Sequence, residues 1–305
     1  MANPQAYTYD ALGVRTVLQK GDIADLIISL NVEDLQMLSR LARRGTKDTN
    51  PKILEDSLAA GDLTNYHAQN SPAPAAVSSA RTTNENETQI LKKTVQVSNT
   101  QQAIAQYGMG PEFDYQMMKK MREIARDAEF FLLSDQAMQR PTPANGNLGK
   151  MAGMSALITT NTNLVANFNQ ANFEALVLAA TATSGGNPTQ VWMDATRKIA
   201  AAGWTEEVTR FSNVAKSMIT EVVQYNTKFG FDCQFHWHKH MPQNLVGNAA
   251  VCMGLDLSPD LWVIKELIPL KREAIAYTGA GPAEQIMWQF TILAGGEQAS
   301  FGFIG

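Results

Sequence analysis

Residues 110–137 read GPEFDYQMMKKMREIARDAEFFLLSDQA, and the rest of the chain is organised around this stretch. Pro111 suits the first position of a helix, where its missing N–H has no partner to lose, and Glu112 places an acid at the positive end of the helix dipole. Apolar positions recur at Met117, Met121, Ile124, Ala128 and Phe131, flanked by Met118, Ala125 and Leu132. The spacing of four and three lays them on one face of a long helix. Lys119, Lys120, Arg122, Glu123, Arg126, Asp127 and Glu129 occupy the other face, which is expected to look outward or toward neighbouring chains. The predicted helix runs from Phe113 to Met138, about 39 Å at 1.5 Å per residue, with Pro141 and Pro143 as its stop. Methionines at this spacing are core fillers, not a cofactor box.

Downstream, helices and strands alternate, which makes the chain α+β. A helix is expected over 172–183, ending at Gly185-Gly186. Val191-Trp192-Met193 reads as a buried strand, followed by Asp194 as the cap of a helix over 195–202 closed by Gly203. Residues 220–225 and 229–237 read as hairpin strands around Asn226-Thr227-Lys228, the second alternating Phe229, Phe231, Cys233, Phe235 and Trp237 with polar residues. Further strands are expected at 249–257, 261–267 and 285–293, and no internal repeat is visible.

Upstream, the character changes. Between Thr46 and Ile90 the large apolar residues are Ile53, Leu54, Leu58, Leu63, Tyr66, Val77 and Ile90, and 61–88 is rich in Asn, Ser, Thr, Ala and Pro. Such a segment cannot offset its ordering entropy by itself. Composition alone reads as a linker; the flanks read as an extended arm ordered on neighbouring chains. Lys47–Asp56 and Ile90–Ser98 are expected to be the two strands of a long hairpin, the second with a period-2 pattern. Before it, 22–28 and 32–43 read as short helical pieces, and Arg40, Arg43, Arg44 and Lys47 cluster as a solvated face or inter-chain ion-pair partners.

The 305 residues carry a net charge of -4 with a pI of about 5.6, unlike a surface dedicated to gripping nucleic acid. Two cysteines, Cys233 and Cys252, make no disulfide framework and read as small buried hydrophobes. No secretory signal and no membrane-length apolar run is visible. Neither a phosphate loop, a dinucleotide fingerprint, a nucleophile elbow nor a CxxC pair occurs. His236-Trp237-His238-Lys239-His240 is the one tempting cluster. On a strand, His236, His238 and His240 would face one way and could hold a zinc. No carboxylates stand nearby to orient the rings, so metal binding is set aside and no cofactor is expected.

Taken in order, GDIADLIISLNVEDLQMLSRL, LEDSLAA, QILKKTVQVSNTQQAI, GPEFDYQMMKKMREIARDAEFFLLSDQA, GGNPTQVWMDATRKIAAAG, VVQYNTKFGFDCQFHWHKHMP and LDLSPDLWVIKELIPLKREAIAYTGAGPAEQIMWQFTIL resemble the major head proteins of tailed bacteriophages with the Hong Kong 97-type (Johnson) fold. The resemblance looks closest to the podovirus major head protein subfamily. It departs locally at 61–88 and 204–216. It implies an N-terminal arm (1–45), an extended loop (46–100), a spine helix opening a peripheral domain (101–150), a mainly axial region (151–264) and closing strands, mainly peripheral (265–305). It implies a non-enzymatic subunit that assembles with itself into hexamers and pentamers of a shell around DNA. Portal and scaffold or decoration proteins are the further partners, without a membrane, and the place is the virion after synthesis in the bacterial cytoplasm. Expected interface residues are Arg40, Arg43, Arg44, Lys52, Glu55, Asp56, Glu123 and Arg126. The acidic balance suits such a shell, since a basic inner wall would trap the genome by counterion release. No large trimming is expected, so the subunit should stay near 33.4 kDa. The alternatives are a same-fold cellular compartment shell and a metal-dependent enzyme at the histidines.

Overall fold

The structure is a computed structural model, and it describes residues 35–56, 58, 61–75, 81–104, 111–204, 224–227, 230–241, 250–276 and 281–305. In chain order the strands are β1 (Ala42–Gly45), β2 (Lys52–Glu55), β3 (Thr82–Glu85), β4 (Gln89–Gln96), β5 (Thr162–Leu164), β6 (Gln190–Met193), β7 (Gln224–Asn226), β8 (Asp232–Trp237), β9 (Ala250–Leu255), β10 (Trp262–Ala274), β11 (Ala283–Ala294) and β12 (Phe301–Ile304). The helices are α1 (Gln36–Arg40), α2 (Asn99–Ala103), α3 (Glu112–Leu133), α4 (Met154–Leu157), α5 (Gln170–Ser184) and α6 (Ala195–Ala202). They build a four-stranded sheet in the order β1-β10-β11-β4, a six-stranded sheet in the order β5-β12-β9-β6-β8-β7, and the separate two-stranded hairpin β2-β3.

The long helix α3 lies on the four-stranded sheet. Phe113, Met117, Ile124, Ala128, Leu132 and Leu133 are buried there against Leu91 and Val95 of β4 and Ile286, Trp288, Phe290 and Ile292 of β11. Burying an Ile or Leu side chain contributes about 1.5–3 kcal/mol, so this face binds the helix firmly. Lys93 of β4 reaches over to Asp127 at 2.7 Å and closes one flank. Three features differ from expectation. Met121 and Phe131 are only partly buried, and Glu129 is fully buried on the core side. The helix also ends at Leu133, not at Met138. Ser134 bonds back to Phe131 O through its hydroxyl at 2.9 Å, and Gly153 packs directly on this turn. The stop is therefore a tertiary contact that acts before the prolines.

The expected hairpin pairs differently. β2 runs antiparallel to β3, with Lys52 opposite Glu85 and Glu55 opposite Thr82. β4, expected as the partner of β2, lies instead in the four-stranded sheet, where Gln89–Gln96 pair with β11. Thr-Thr-Asn-Glu has no apolar alternation, so nothing local marks β3 as a strand. The helix expected over 32–43 is confined to Gln36–Arg40, and Ala42–Gly45 becomes an edge strand parallel to β10. The piece expected at 22–28 and residues 32–34 lie outside the described residues.

The other expectations match closely. α5 starts at Asn169, whose side chain accepts from Asn172 N, and ends at Gly185 in the left-handed region with φ 68°. Asp194 caps α6 by accepting from Arg197 N at 2.8 Å. β7 and β8 form the expected hairpin, though 220–223 and 228–229 lie outside the described residues. β10 is longer than expected and carries extra residues around Pro269, which cannot donate to a ladder, where its register with β11 shifts. On the six-stranded sheet, the ring of Phe173 of α5 sits 5.3–5.6 Å from Trp204, Tyr225, Phe235 and Phe301. That aromatic cluster anchors α5 and brings in β12, a strand the sequence reading left unmarked. Cys233 and Cys252 are free and fully buried in the same core. Burial pushes the Cys233 thiol up to about 12.

Candidate assembly surfaces and a buried junction

The β2–β3 hairpin leaves the body as a ribbon. A lone two-stranded ribbon is marginal in water, and its base is held by asparagines. The buried side chain of Asn86 donates to Ile292 O at 2.7 Å and Ala152 O at 3.0 Å, and accepts from Ala152 N at 2.8 Å. Asn84 donates to Ala294 O at 3.2 Å. Lys52 pairs with Glu85 at 3.1 Å, and Arg81 with Asp56 at 3.0 Å. Beyond this base the apolar residues are left uncovered by the described residues of their own chain. Leu54 is 66% exposed, Leu58 99%, Leu63 98% and Tyr66 80%.

The residues expected at interfaces mostly hold partners within the chain. Arg40 Nη1 lies 3.1 Å from Gln190 Oε1 and 2.9 Å from His236 Nε2, with its guanidinium over the Trp192 ring. Arg43 donates to Leu38 O at 3.0 Å, and Arg44 pairs with Asp260 at 2.8 Å. Glu55 accepts from Asn84, and burial together with Glu297 pushes its carboxyl up from the ordinary range. Glu123 pairs with Lys120 one turn away. Arg126 keeps a buried Nε without a hydrogen bond among the described residues. These residues do not form one patch. They fall on the end of α1, the edge strand β1, the hairpin and the flank of α3.

The three histidines do not share a face, because β8 ends at Trp237 and the chain turns. His236 lies 2.7 Å from Gln190 Oε1, and burial, reinforced by Arg40 and Lys198, lowers its pKa to about 4. His240 packs on the Phe130 ring at 4.8 Å. His238 is fully buried and lies 2.8 Å from Glu129 Oε1 through Nε2. Its Nδ1 accepts from His240 N at 3.1 Å, so the proton facing Glu129 is on Nε2.

Glu129 is the junction that sequence reading missed. Its carboxylate also accepts from Met37 N at 2.8 Å and Leu38 N at 2.9 Å. Those are first-turn amides of α1, whose N-cap position is Leu35, with no side chain able to cap it. A carboxylate 92 positions away does the capping instead. One buried group thus ties α1, the long helix and the turn after β8. The only local signal was position: 129 lies beside the apolar stripe, four after Ala125 and three before Leu132.

A family model described as SU10 major capsid protein matches residues 7–305. A curated relative, the "Major capsid protein" of Escherichia phage Phieco32, is 37% identical over 138 residues, which span 45% of this chain and only 38% of that relative. Among solved structures, the capsid of a native GTA particle superposes with a TM-score of 0.67 at 12% identity, over 96% of this chain and 97% of that one. The capsid of Myoviridae Phage XM1 superposes with a TM-score of 0.60 at 9% identity, over 93% and 96%. At these identities the structural likeness is one of fold.

Proposed function

The chain belongs to the SU10 major capsid protein family and has the Hong Kong 97-type fold, and from that premise we propose that it builds the head shell of a phage. In this reading it assembles with itself into hexamers and pentamers of an icosahedral shell around double-stranded DNA, meeting portal and scaffold or decoration proteins. It is made in the host cytoplasm and resides in the virion. Its placement among podovirus head proteins rests on the sequence resemblance. The four-stranded sheet with α3 serves as the peripheral domain, and the six-stranded sheet with α5 and α6 as the axial domain.

The observation that carries this reading is the hairpin. Among the described residues, Leu54, Leu58, Leu63 and Tyr66 stand exposed on an arm held at its base. Covering one leucine is worth about 1.5–3 kcal/mol, and a neighbouring subunit supplies the cover that the described residues of the arm's own chain do not. The family match favours a phage shell over a same-fold cellular compartment. The metal-enzyme alternative loses its geometric basis, since His236, His238 and His240 are held by different partners.

Electron microscopy of the expressed full chain, alone and with its scaffold, tests the proposal. Closed shells, tubes or capsomers are the expected products. A virion whose shell lacks this chain refutes it.

A further inference from the structure

Among the described strands the chain passes between the two large sheets three times: from β4 by way of α3 and α4 to β5, from β9 to β10, and from β11 to β12. The three connections, 158–161, 256–261 and 295–300, are bonded to one another. Gly295 N donates to Leu261 O at 2.7 Å, Thr159 N and Thr160 N donate to Glu297 Oε2 at 3.0 and 3.2 Å, and the Asn161 amide donates to Gln298 O at 2.6 Å. These covalent links between the sheets are therefore gathered in one place, and a few element-terminal residues in one place are what a hinge requires.

Beyond the connections the sheets meet through one buried cluster. Met37 of α1, Met151 and Met154 from the segment after α3, Met241 from the turn after β8 and Met253 of β9 all enter it. Ser155 Oγ, bonded to Leu133 O at the end of α3 at 2.8 Å, also lies 3.8 Å from Met253 Sδ. The core of the six-stranded sheet itself is built on the rings of Phe173, Tyr225, Phe235 and Phe301. Methionine has three rotatable bonds and fills irregular gaps, so it repacks after a small shift where a rigid ring would clash.

The short helix α1 spans this seam and holds its two sides unequally. On the side of the long helix, Met37 and Leu38 are buried, Glu129 receives their amides, and β1 follows directly into the four-stranded sheet. On the other side two long side chains make the contact. Gln36 Nε2 donates to Trp237 O at 2.9 Å and Gln36 Oε1 accepts from Trp192 Nε1 at 3.1 Å, while Arg40 reaches Gln190 and His236. Hydrogen bonds are short-ranged and directional, so these define one setting of the sheets, and at mostly exposed positions water replaces them at little cost. His238 keeps the turn after β8 on Glu129, which limits any movement to a small rotation.

We propose that the two sheets form an adjustable joint, with the bundled connections as its hinge, the methionine seam as the packing that shifts, and α1 as the catch that holds one setting. Its use rests on the reading above that the chain builds a shell: hexamers and pentamers set identical chains in unequal surroundings, and a joint with more than one setting fits one sequence to both.

Double electron–electron resonance on the unassembled subunit tests the joint independently of the shell reading. Spin labels go on Met118→Cys of α3 and Ile199→Cys of α6, positions 58% and 76% exposed, while Cys233 and Cys252 are buried away from the label. The chain with its catch intact should give one narrow distance. Gln36→Ala with Arg40→Ala removes the grip on the six-stranded sheet, leaves the buried side of α1 intact, and should broaden the distribution about twofold or more. Adding Met154→Leu and Met253→Leu, which keep the volume but lose side-chain freedom, should narrow it again. An unbroadened distribution in the folded catch variant overturns the proposal, and so does a broadening that the leucines leave untouched. If the double substitution unfolds the subunit, Gln36→Ala alone carries the same comparison.

Discussion

Replacing Glu129 by glutamine changes one atom in the interior and should be felt across three elements. The native carboxylate accepts from Met37 N, Leu38 N and His238 Nε2 at 2.8–2.9 Å, all in the buried interior. An amide has one oxygen and one NH2, so at least one of these donors must face another donor. A charge-assisted hydrogen bond is worth about 1.5–3 kcal/mol, and a buried donor left unpaired costs about 1–3 kcal/mol. The expected destabilisation is therefore about 2–4 kcal/mol for Glu129→Gln. For Glu129→Ala it is about 3–5 kcal/mol, because that change strips every partner at once. Either value is a large part of the ~5–15 kcal/mol that holds a domain together. Glu123→Ala, on the same helix but paired with Lys120 near the surface, should cost at most about 1 kcal/mol. Urea unfolding of the unassembled subunit gives these numbers, and amide hydrogen exchange at Met37 and Leu38 reports the cap directly. If Glu129→Gln unfolds at the native midpoint with native exchange at both amides, the junction does not work as described.

Three further outcomes are expected. Gly153→Ala would place a Cβ 2.1 Å from Ser134 O and 2.8 Å from Phe131 O, both backbone atoms; the loss should exceed the ~1–3 kcal/mol usual for overpacking, and native solubility and melting would contradict it. His236 has a folded pKa of about 4, below its ordinary 6.5, so the unfolded chain binds the extra proton between those values. That contribution to stability is complete above pH 6.5 and lost as pH falls toward 4; His236→Gln should flatten the melting profile in this window, and an unchanged slope would show that His236 is not responsible. Limited proteolysis should cut the free subunit within 61–75, where every residue is exposed, and spare the same sites in the shell; equal cleavage in both would make the hairpin a passive linker.

The amino-acid pattern by itself determined the elements whose signals are local. Gly185 closes α5, Asp194 starts α6, and a stripe spaced by four and three puts Ile124 and Ala128 on the inner face of α3. The apolar run over 285–293 read as a strand, and β11 holds it from Ala283 to Ala294 with most of its residues buried. Strand partners were not legible in the same way. Thr82–Glu85 carries no alternation and becomes a strand only because Lys52–Glu55 lies beside it, while Gln89–Gln96, which does alternate, is claimed by β11. Ala42 and Arg43 looked helical by continuity with the preceding piece and are extended because the edge of β10 was open to them. The buried junction was least legible. Glu129 is one more acid on a charged helix until Met37 and Leu38 bring two amides and His238 brings a ring proton to it. Helix periodicity and caps depend on residues a few positions apart, so they are written in the sequence. A buried carboxylate depends on donors about a hundred positions away on either side, and only the packed chain brings them within hydrogen-bonding distance.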